Sequence, residues 1–294
     1  MAQFAGEGFA ESDVLPRAGK RDLLREYSLE ITAKDGDSFE EAAPSLVPGT
    51  AVSVTFLPGD DPDMRVATAA RVKRLGFEPV SHLSARRLRS EQELETMLAR
   101  LRDEAGVTRV FVVAGDLAQP SGPYEDALSI IRSGLLEKYG IRHVGIAGYP
   151  EGHPDISEEK LWQAMRDKIS VLRDVGQKVD ITTQFGFDTE PVLKWLERLR
   201  QEGIEARVRI GVAGPASVKT LLRYAARCGV AASAKVMSKY GASILNLFNT
   251  AGPERFVSEL AESLDPARHG DVTLHFYPFG GVKTTAEWIR KASR

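Results

Sequence analysis

A chain of 294 residues with 43% apolar residues can bury a large core, and a formal charge of −2 leaves no basic excess for holding nucleic acid. The single Cys228 excludes an intramolecular disulfide framework and points to a reducing compartment. No apolar run nears the roughly 20 residues of a membrane span, and no apolar core follows Arg17, Lys20 and Arg21, so a cytoplasmic chain with no membrane partner is expected.

Residues 1–20, glycine-rich and without period, read as an N-terminal tail, and residues 21–294 as one domain. Strand and helix patterns then alternate. Tyr27–Thr32 reads as a strand, and Ser38–Ala43 as a brief helix capped by Asp37 or Ser38. Ala51–Phe56 is a β-branched strand, followed by a helix that Asp63 caps and that runs to Leu75. Phe77–Leu83 is the third strand, and Ser90-Glu-Gln-Glu opens the next helix as a capping box. Arg109–Ala114 is the fourth strand and Tyr124–Lys138 a helix. His143–Gly148 is the fifth strand, and Ser157–Asp174 a long helix. Val179–Gln184 comes next, then a helix from Asp188 to Gln201 that Gly203 ends. Arg207–Val212 is the seventh strand, with Pro215 in the first turn of the following helix.

The interval from Cys228 to Pro253 departs from this rhythm and reads as an extra helical segment plus loop. Pro253–Leu264 is a helix, Asp271–Tyr277 the eighth strand and Lys283–Arg290 the closing helix. Eight such strands predict a single α/β (β/α)8 TIM barrel with an extra helical segment before the last strand. A doubly wound open sheet is the competing layout, but no Gly-x-Gly-x-x-Gly follows any strand.

Active sites of such barrels lie at the C-terminal ends of the strands. The residues expected there are Glu30, Thr55, His82, Asp116, Tyr149 with His153, Gln184, the Gly211–Gly214 turn, and His275 with Tyr277. Gly145–Pro154 reads as a stiff rim, since Pro150 and Pro154 push Tyr149 and His153 toward extended geometry. Glu30 sits between Leu29 and Ile31, where lost solvation would raise its pKa toward that of a general acid. Asp116 follows a glycine at the mouth of the fourth strand and could meet a polar ring; Gln184 pairs one donor with one acceptor, suited to a flat amide-like heterocycle. The five histidines lack metal-ligand spacing, and no Gly-x-Ser-x-Gly elbow or phosphate loop occurs. One acid among hydrogen-bonding side chains suits a redox barrel with an organic cofactor.

Ser-Leu-Glu, Val-Ser-Val-Thr, Ser-His-Leu, Gly-Asp-Leu, Ala-Gly-Tyr-Pro-Glu-Gly-His-Pro, Thr-Gln-Phe-Gly-Phe-Asp and His-Phe-Tyr, in that order, resemble the methylenetetrahydrofolate reductase family. The resemblance runs over about residues 25 to 290 and implies a flavoprotein barrel that moves hydride from NADH or NADPH through FAD to a methylene-tetrahydrofolate. It implies Glu30 as the general acid on the folate nitrogen and Asp116 as the carboxylate near flavin and pterin. Thr55, His82, Gly115, Asp116, Tyr149 and His153 are implied to line the FAD, with Lys168 beside its phosphates. Gln184, Tyr277 and Lys283 fall on the substrate side. The expected partners are tetrahydrofolate derivatives, with no nucleic acid and with room for a homo-oligomer.

The chain departs from the pattern in four places. Leu-Glu-Ile-Thr-Ala-Lys replaces Phe-Glu-Phe-Phe-Pro-Pro, Ala114 replaces an arginine, Ser81 replaces a proline, and no arginine follows Tyr277. Four readings stay open: the reductase, the same enzyme run toward oxidation, a flavin-independent folate reductase, and a non-catalytic folate- or flavin-binding barrel.

Overall fold

In the computed structural model, which describes residues 19–228 and 250–293, the eight expected strands close on one another without an edge. They are β1 (Ser28–Ile31), β2 (Ala51–Val54), β3 (Glu78–Ser84) and β4 (Arg109–Val113), then β5 (His143–Gly148), β6 (Lys178–Gly186), β7 (Arg207–Ala213) and β8 (Val272–Tyr277). Each pairs in parallel with its neighbours in sequence, and β8 returns to β1 in the register Ser28 to His275 and Leu29 to Phe276. Closure excludes the doubly wound sheet, which would leave two edges.

Side-chain alternation explains why these segments fold this way. Leu29, Ile31, Val52, Val54, Val110 and Val112 belong to the main apolar core, each at most 2% exposed, and pack under the surrounding helices. Burying each such side chain contributes about 1.5–3 kcal/mol. Their alternates Ser28, Ser53, Arg109, Phe111, Asp180, Thr182, Arg209 and His275 line the space inside the barrel. The inner face is therefore polar. Near its N-terminal end Asp180 Oδ2 accepts from Arg209 Nε and Nη2 at 3.1 Å and from Arg109 Nη2 at 3.0 Å, and lies 2.9 Å from His143 Nε2. Burial pushes the Asp180 carboxyl up, but His143, Arg209 and Arg109 outweigh it and bring it to about 2.

Several local expectations are corrected. Asp61, not Asp63, caps the helix Pro62–Arg74 by accepting from the Asp63 N–H at 2.9 Å, while Asp63 pairs with Arg100. The brief helix expected over Ser38–Ala43 is Gly36–Ala42, begun at Asp35, whose carboxylate holds the Thr32 N–H and hydroxyl. The helix expected over Tyr124–Lys138 is two, Ala127–Arg132 and Leu135–Lys138, broken at Gly134 with φ +73. Pro215 precedes rather than enters its helix; Ser217 caps Val218–Arg227 through the Thr220 N–H. Residues 1–18 of the expected tail and most of the Cys228–Pro253 segment lie outside the described residues, while Lys20, placed at the end of the tail, begins a short helix, Lys20–Leu23. Ala216–Ser217 and Thr250–Ala251 form a short antiparallel pair at the segment's base. Among the described residues, no helix is long and apolar enough to cross a membrane.

Candidate active site

At the C-terminal mouth of the barrel Glu30 stands between two imidazoles. Its Oε2 is 3.6 Å from His82 Nε2 and 3.9 Å from His275 Nε2. Glu30 keeps 22% of its side-chain surface, against 12% for His82 and 3% for His275, so the carboxyl faces the opening while both rings stand behind it. Burial raises the Glu30 pKa, with the neighbouring His82 opposing only in so far as it takes up a proton, as the place of Glu30 between Leu29 and Ile31 predicts. Burial likewise holds both histidines neutral, His82 at about 4 and His275 at about 3, the latter lowered further by Arg209 beneath it. The site thus presents a carboxyl whose protonated form is favoured by burial, flanked by uncharged rings.

His275 is tied from below. Its Nδ1 lies 2.8 Å from Ser28 Oγ, a contact that exists because β8 closes on β1 with these residues in register. His82 leans on Phe111 with ring centroids 4.8 Å apart, and its carbonyl accepts from Arg65 Nη2. The Arg65 guanidinium lies 4.0 Å over the Phe56 ring and, with the residue 2% exposed, is pulled by burial to about 10. Among the expected residues, His82 therefore belongs with Glu30.

Gln184 reaches the mouth through an irregularity in β6, whose register with β7 shifts between Thr182 and Phe185. Gly211 makes room for the bulge, since a β-carbon there would stand 2.6 Å from the Gln184 carbonyl. The Thr183 hydroxyl accepts the Gly211 N–H at 2.9 Å and locks it. The Gln184 amide donates to the Cys228 carbonyl at 3.2 Å, so one of its two N–H bonds is already directed. Cys228 is half-buried and burial raises its thiol pKa, which keeps it a thiol. Tyr277 donates its hydroxyl to the Thr183 carbonyl at 2.9 Å and packs among Phe185 and Phe279, with Phe279 stacked on Tyr224 at 4.0 Å. This aromatic wall was not legible in the sequence.

A second group gathers at the ends of β2, β3 and β4. Thr55 Oγ1 and Ser84 Oγ are buried and without a hydrogen-bond partner. Gly115 turns there with φ +95, and a β-carbon on it would fall 2.2 Å from Ser84 Oγ. Asp116 follows, and Arg87 holds it, Nε at 2.9 Å and Nη2 at 2.5 Å from the same Oδ1. Arg86 supports the loop by donating to the Leu117 and Glu125 carbonyls. Sequence reasoning missed Ser84, Arg86 and Arg87, because nothing in their spacing marks a site.

Tyr149 and His153 meet edge to face at 5.5 Å, and the His153 Nδ1 accepts the Asp155 N–H, so the Pro150–Pro154 loop is held from within. Behind the loop opens a cavity of about 420 Å³ walled by Tyr149, Glu151, Trp162, Met165 and Trp195; neither Glu30, His82 nor His275 lines it. Lys168 lies along the helix Glu158–Asp174, where burial lowers its pKa and Asp126 opposes. Lys283 is 63% exposed and leans on Glu41 at 3.8 Å, so the structure brings neither lysine into the Glu30 group. Among the described residues no group of three or more His, Cys, Asp or Glu could hold a metal ion.

The comparisons with known proteins bear on a barrel with this mouth. A Clostridium thermocellum protein that binds two copies of 5-methyl-5,6,7,8-tetrahydrofolic acid superposes with a TM-score of 0.61 over 94% of both chains; at 11% identity this likeness carries the fold alone. The 5,10-methylenetetrahydrofolate reductase of Pectobacterium carotovorum is 31% identical over 61% of this chain and 58% of its own length. That of Escherichia coli is 27% identical over 71% of this chain and 74% of its own. Methylenetetrahydrofolate reductase (NADH) 1 of Arabidopsis thaliana is 26% identical over 74% of this chain, which spans only 39% of the plant protein. The model of the Methylenetetrahydrofolate reductase family matches residues 40–291, most of the barrel, and the chain belongs to that family.

Proposed function

We propose that this barrel reduces 5,10-methylenetetrahydrofolate to 5-methyltetrahydrofolate with electrons from NADH or NADPH, using FAD. The observation that carries the reading is Glu30: a carboxyl of raised pKa, open to the mouth, with neutral His82 and His275 at its back. Opening the five-membered ring of the methylene-folate requires a proton on a ring nitrogen, and a carboxyl whose proton is held more firmly by burial is suited to give it. Family membership and the named relatives support the same substrate.

The residues at the ends of β2 to β5 fit a flavin nucleotide. Thr55 and Ser84 offer unpartnered buried hydroxyls, Gly115 takes a backbone turn that keeps the surface close, and Tyr149 offers a half-buried ring. Thr55, His82, Gly115, Asp116, Tyr149 and His153 would hold it, with Lys168 toward its phosphates. FAD, when bound, supplies the two-electron carrier that the side chains lack. Glu30 breaks its O–H bond and places that proton on the substrate nitrogen, then regains one from solvent. Asp116, with Arg87, sets the charge beside the reacting groups, and Gln184 orients the flat substrate ring. Tyr277, and Lys283 on the rim, stand on the substrate side.

Purified protein should be yellow and should bleach when NADH or NADPH is added; a colourless protein that takes up no flavin would overturn the FAD assignment. Glu30→Gln should abolish folate turnover and leave bleaching by the nicotinamide nucleotide intact. Loss of both together would remove Glu30 from the role of acid.

A further inference from the structure

The His275 side chain is 3% exposed and has one hydrogen-bonding partner among the described residues, and this decides what Glu30 senses. At 3.9 Å the Glu30–His275 contact is too long for a hydrogen bond and acts as charge on dipole. Its sign depends on whether Nε2 carries a lone pair or a proton. A neutral imidazole has one N–H, and the bond made by the other nitrogen decides which. Ser28 Oγ lies 2.8 Å from His275 Nδ1 and 3.5 Å from the Leu274 carbonyl. With the hydroxyl donating to that carbonyl, its oxygen is left to accept Nδ1–H, and Nε2 faces Glu30 as a bare lone pair.

We propose that Ser28 and His275 are positioning residues for the acid: Ser28 fixes the tautomer of His275, and the Nε2 lone pair disfavours the carboxylate of Glu30 and so keeps its proton in place. As a role in catalysis this rests on the reductase reading; as a statement about Glu30 it does not. The other groups facing Glu30 are His82 from β3, with Arg65 behind it, Tyr277 from β8 and Cys228 beyond the helix Val218–Arg227. Arg209 acts on His275 from beneath. Of these, only His275 has a ring nitrogen within hydrogen-bond distance of a buried side-chain hydroxyl among the described residues.

Ser28→Ala removes the acceptor for Nδ1–H. A buried N–H without a partner is costly, so the proton moves to Nε2, where it faces the Glu30 oxygen and favours the carboxylate. Glu30 then ionises at lower pH. The acid works while protonated, so folate turnover falls as pH rises through its pKa, and this limb should move down by about one pH unit in Ser28→Ala. Ser28→Thr keeps the hydroxyl and should restore the wild-type limb, whereas flavin bleaching by the nicotinamide nucleotide should be unchanged in both.

The same shift should be read without substrate, as the pH midpoint of the Glu30 carboxyl band in infrared difference spectra taken against Glu30→Gln. A Ser28→Ala midpoint that coincides with wild type overturns the inference, whatever turnover shows. A shifted midpoint in a protein that turns over no folate upholds it and instead sinks the reductase reading.

Discussion

Asp116 and Arg87 show how one residue changes the chemistry assigned to another. Asp116 was legible as a carboxylate at the mouth of β4 because it follows the Gly115 turn. Its partner was not, because Arg87 ends the short 3-10 turn Ala85–Arg87, where three arginines, Arg86, Arg87 and Arg89, crowd without a pattern. The pair makes the local charge near neutral instead of negative, and it places a guanidinium near the position where Ala114 lacks one. Arg87 is 15% exposed and Asp116 58%, so breaking the pair should cost less than ~1 kcal/mol of stability. On the proposed reading its effect belongs to binding: Arg87→Ala would leave an uncompensated carboxylate that repels an anionic nucleotide and folate. KM for both should rise several-fold and the rise should shrink with added salt, which steady-state kinetics at two ionic strengths would check. A salt-independent KM would assign the pair a purely structural task. Glu30 was legible from its apolar neighbours alone; Ser28, its indirect partner, was not, because Ser28 and His275 are 247 residues apart and meet only when the barrel closes.

Among the elements, the strands followed from alternation and β-branched runs, and all eight stand where those patterns put them. The bulge of β6 did not, since a strand of Thr, Thr, Gln and Phe carries no mark of a register shift. Its cause lies on another strand, in the missing side chain of Gly211. Gly211→Ala would force a methyl group to within 2.6 Å of the Gln184 backbone, and either the bulge or β7 must move. The expected cost is about 1–3 kcal/mol of stability, by the usual scale for overpacking. Gln184 would be displaced with the bulge, so kcat/KM for the folate should fall on the order of tenfold. Thermal melts and folate kinetics on the same variant check both parts. A destabilised variant with unchanged folate kinetics would show that Gln184 does not orient the substrate. Helix starts were read less well, each being placed two residues late: Asp61 takes the capping position ahead of Asp63, and Asp35 begins its helix without a side-chain cap because its carboxylate is used on Thr32.

For the whole molecule, the buried rings at the mouth couple stability to pH. In the unfolded chain His82 and His275 titrate near 6.5, whereas in the fold they titrate at about 4 and about 3. Between these limits the unfolded state binds protons the native state refuses, so stability is complete above pH 6.5 and is lost as pH falls toward 3. Glu30 acts oppositely, because its raised pKa makes the native state hold a proton that the unfolded chain gives up just above 4.5. The proton that Glu30 retains in the fold therefore offsets part of the acid destabilisation caused by the two histidines. Glu30→Gln removes the opposing group, so its melting temperature should fall more steeply than that of wild type as pH drops from 6 to about 4.5. Melting curves across that range, run for both proteins, measure the difference directly. Parallel curves would mean that Glu30 gives up its proton in the fold as readily as in the open chain, and the acid at the mouth would lose its physical basis.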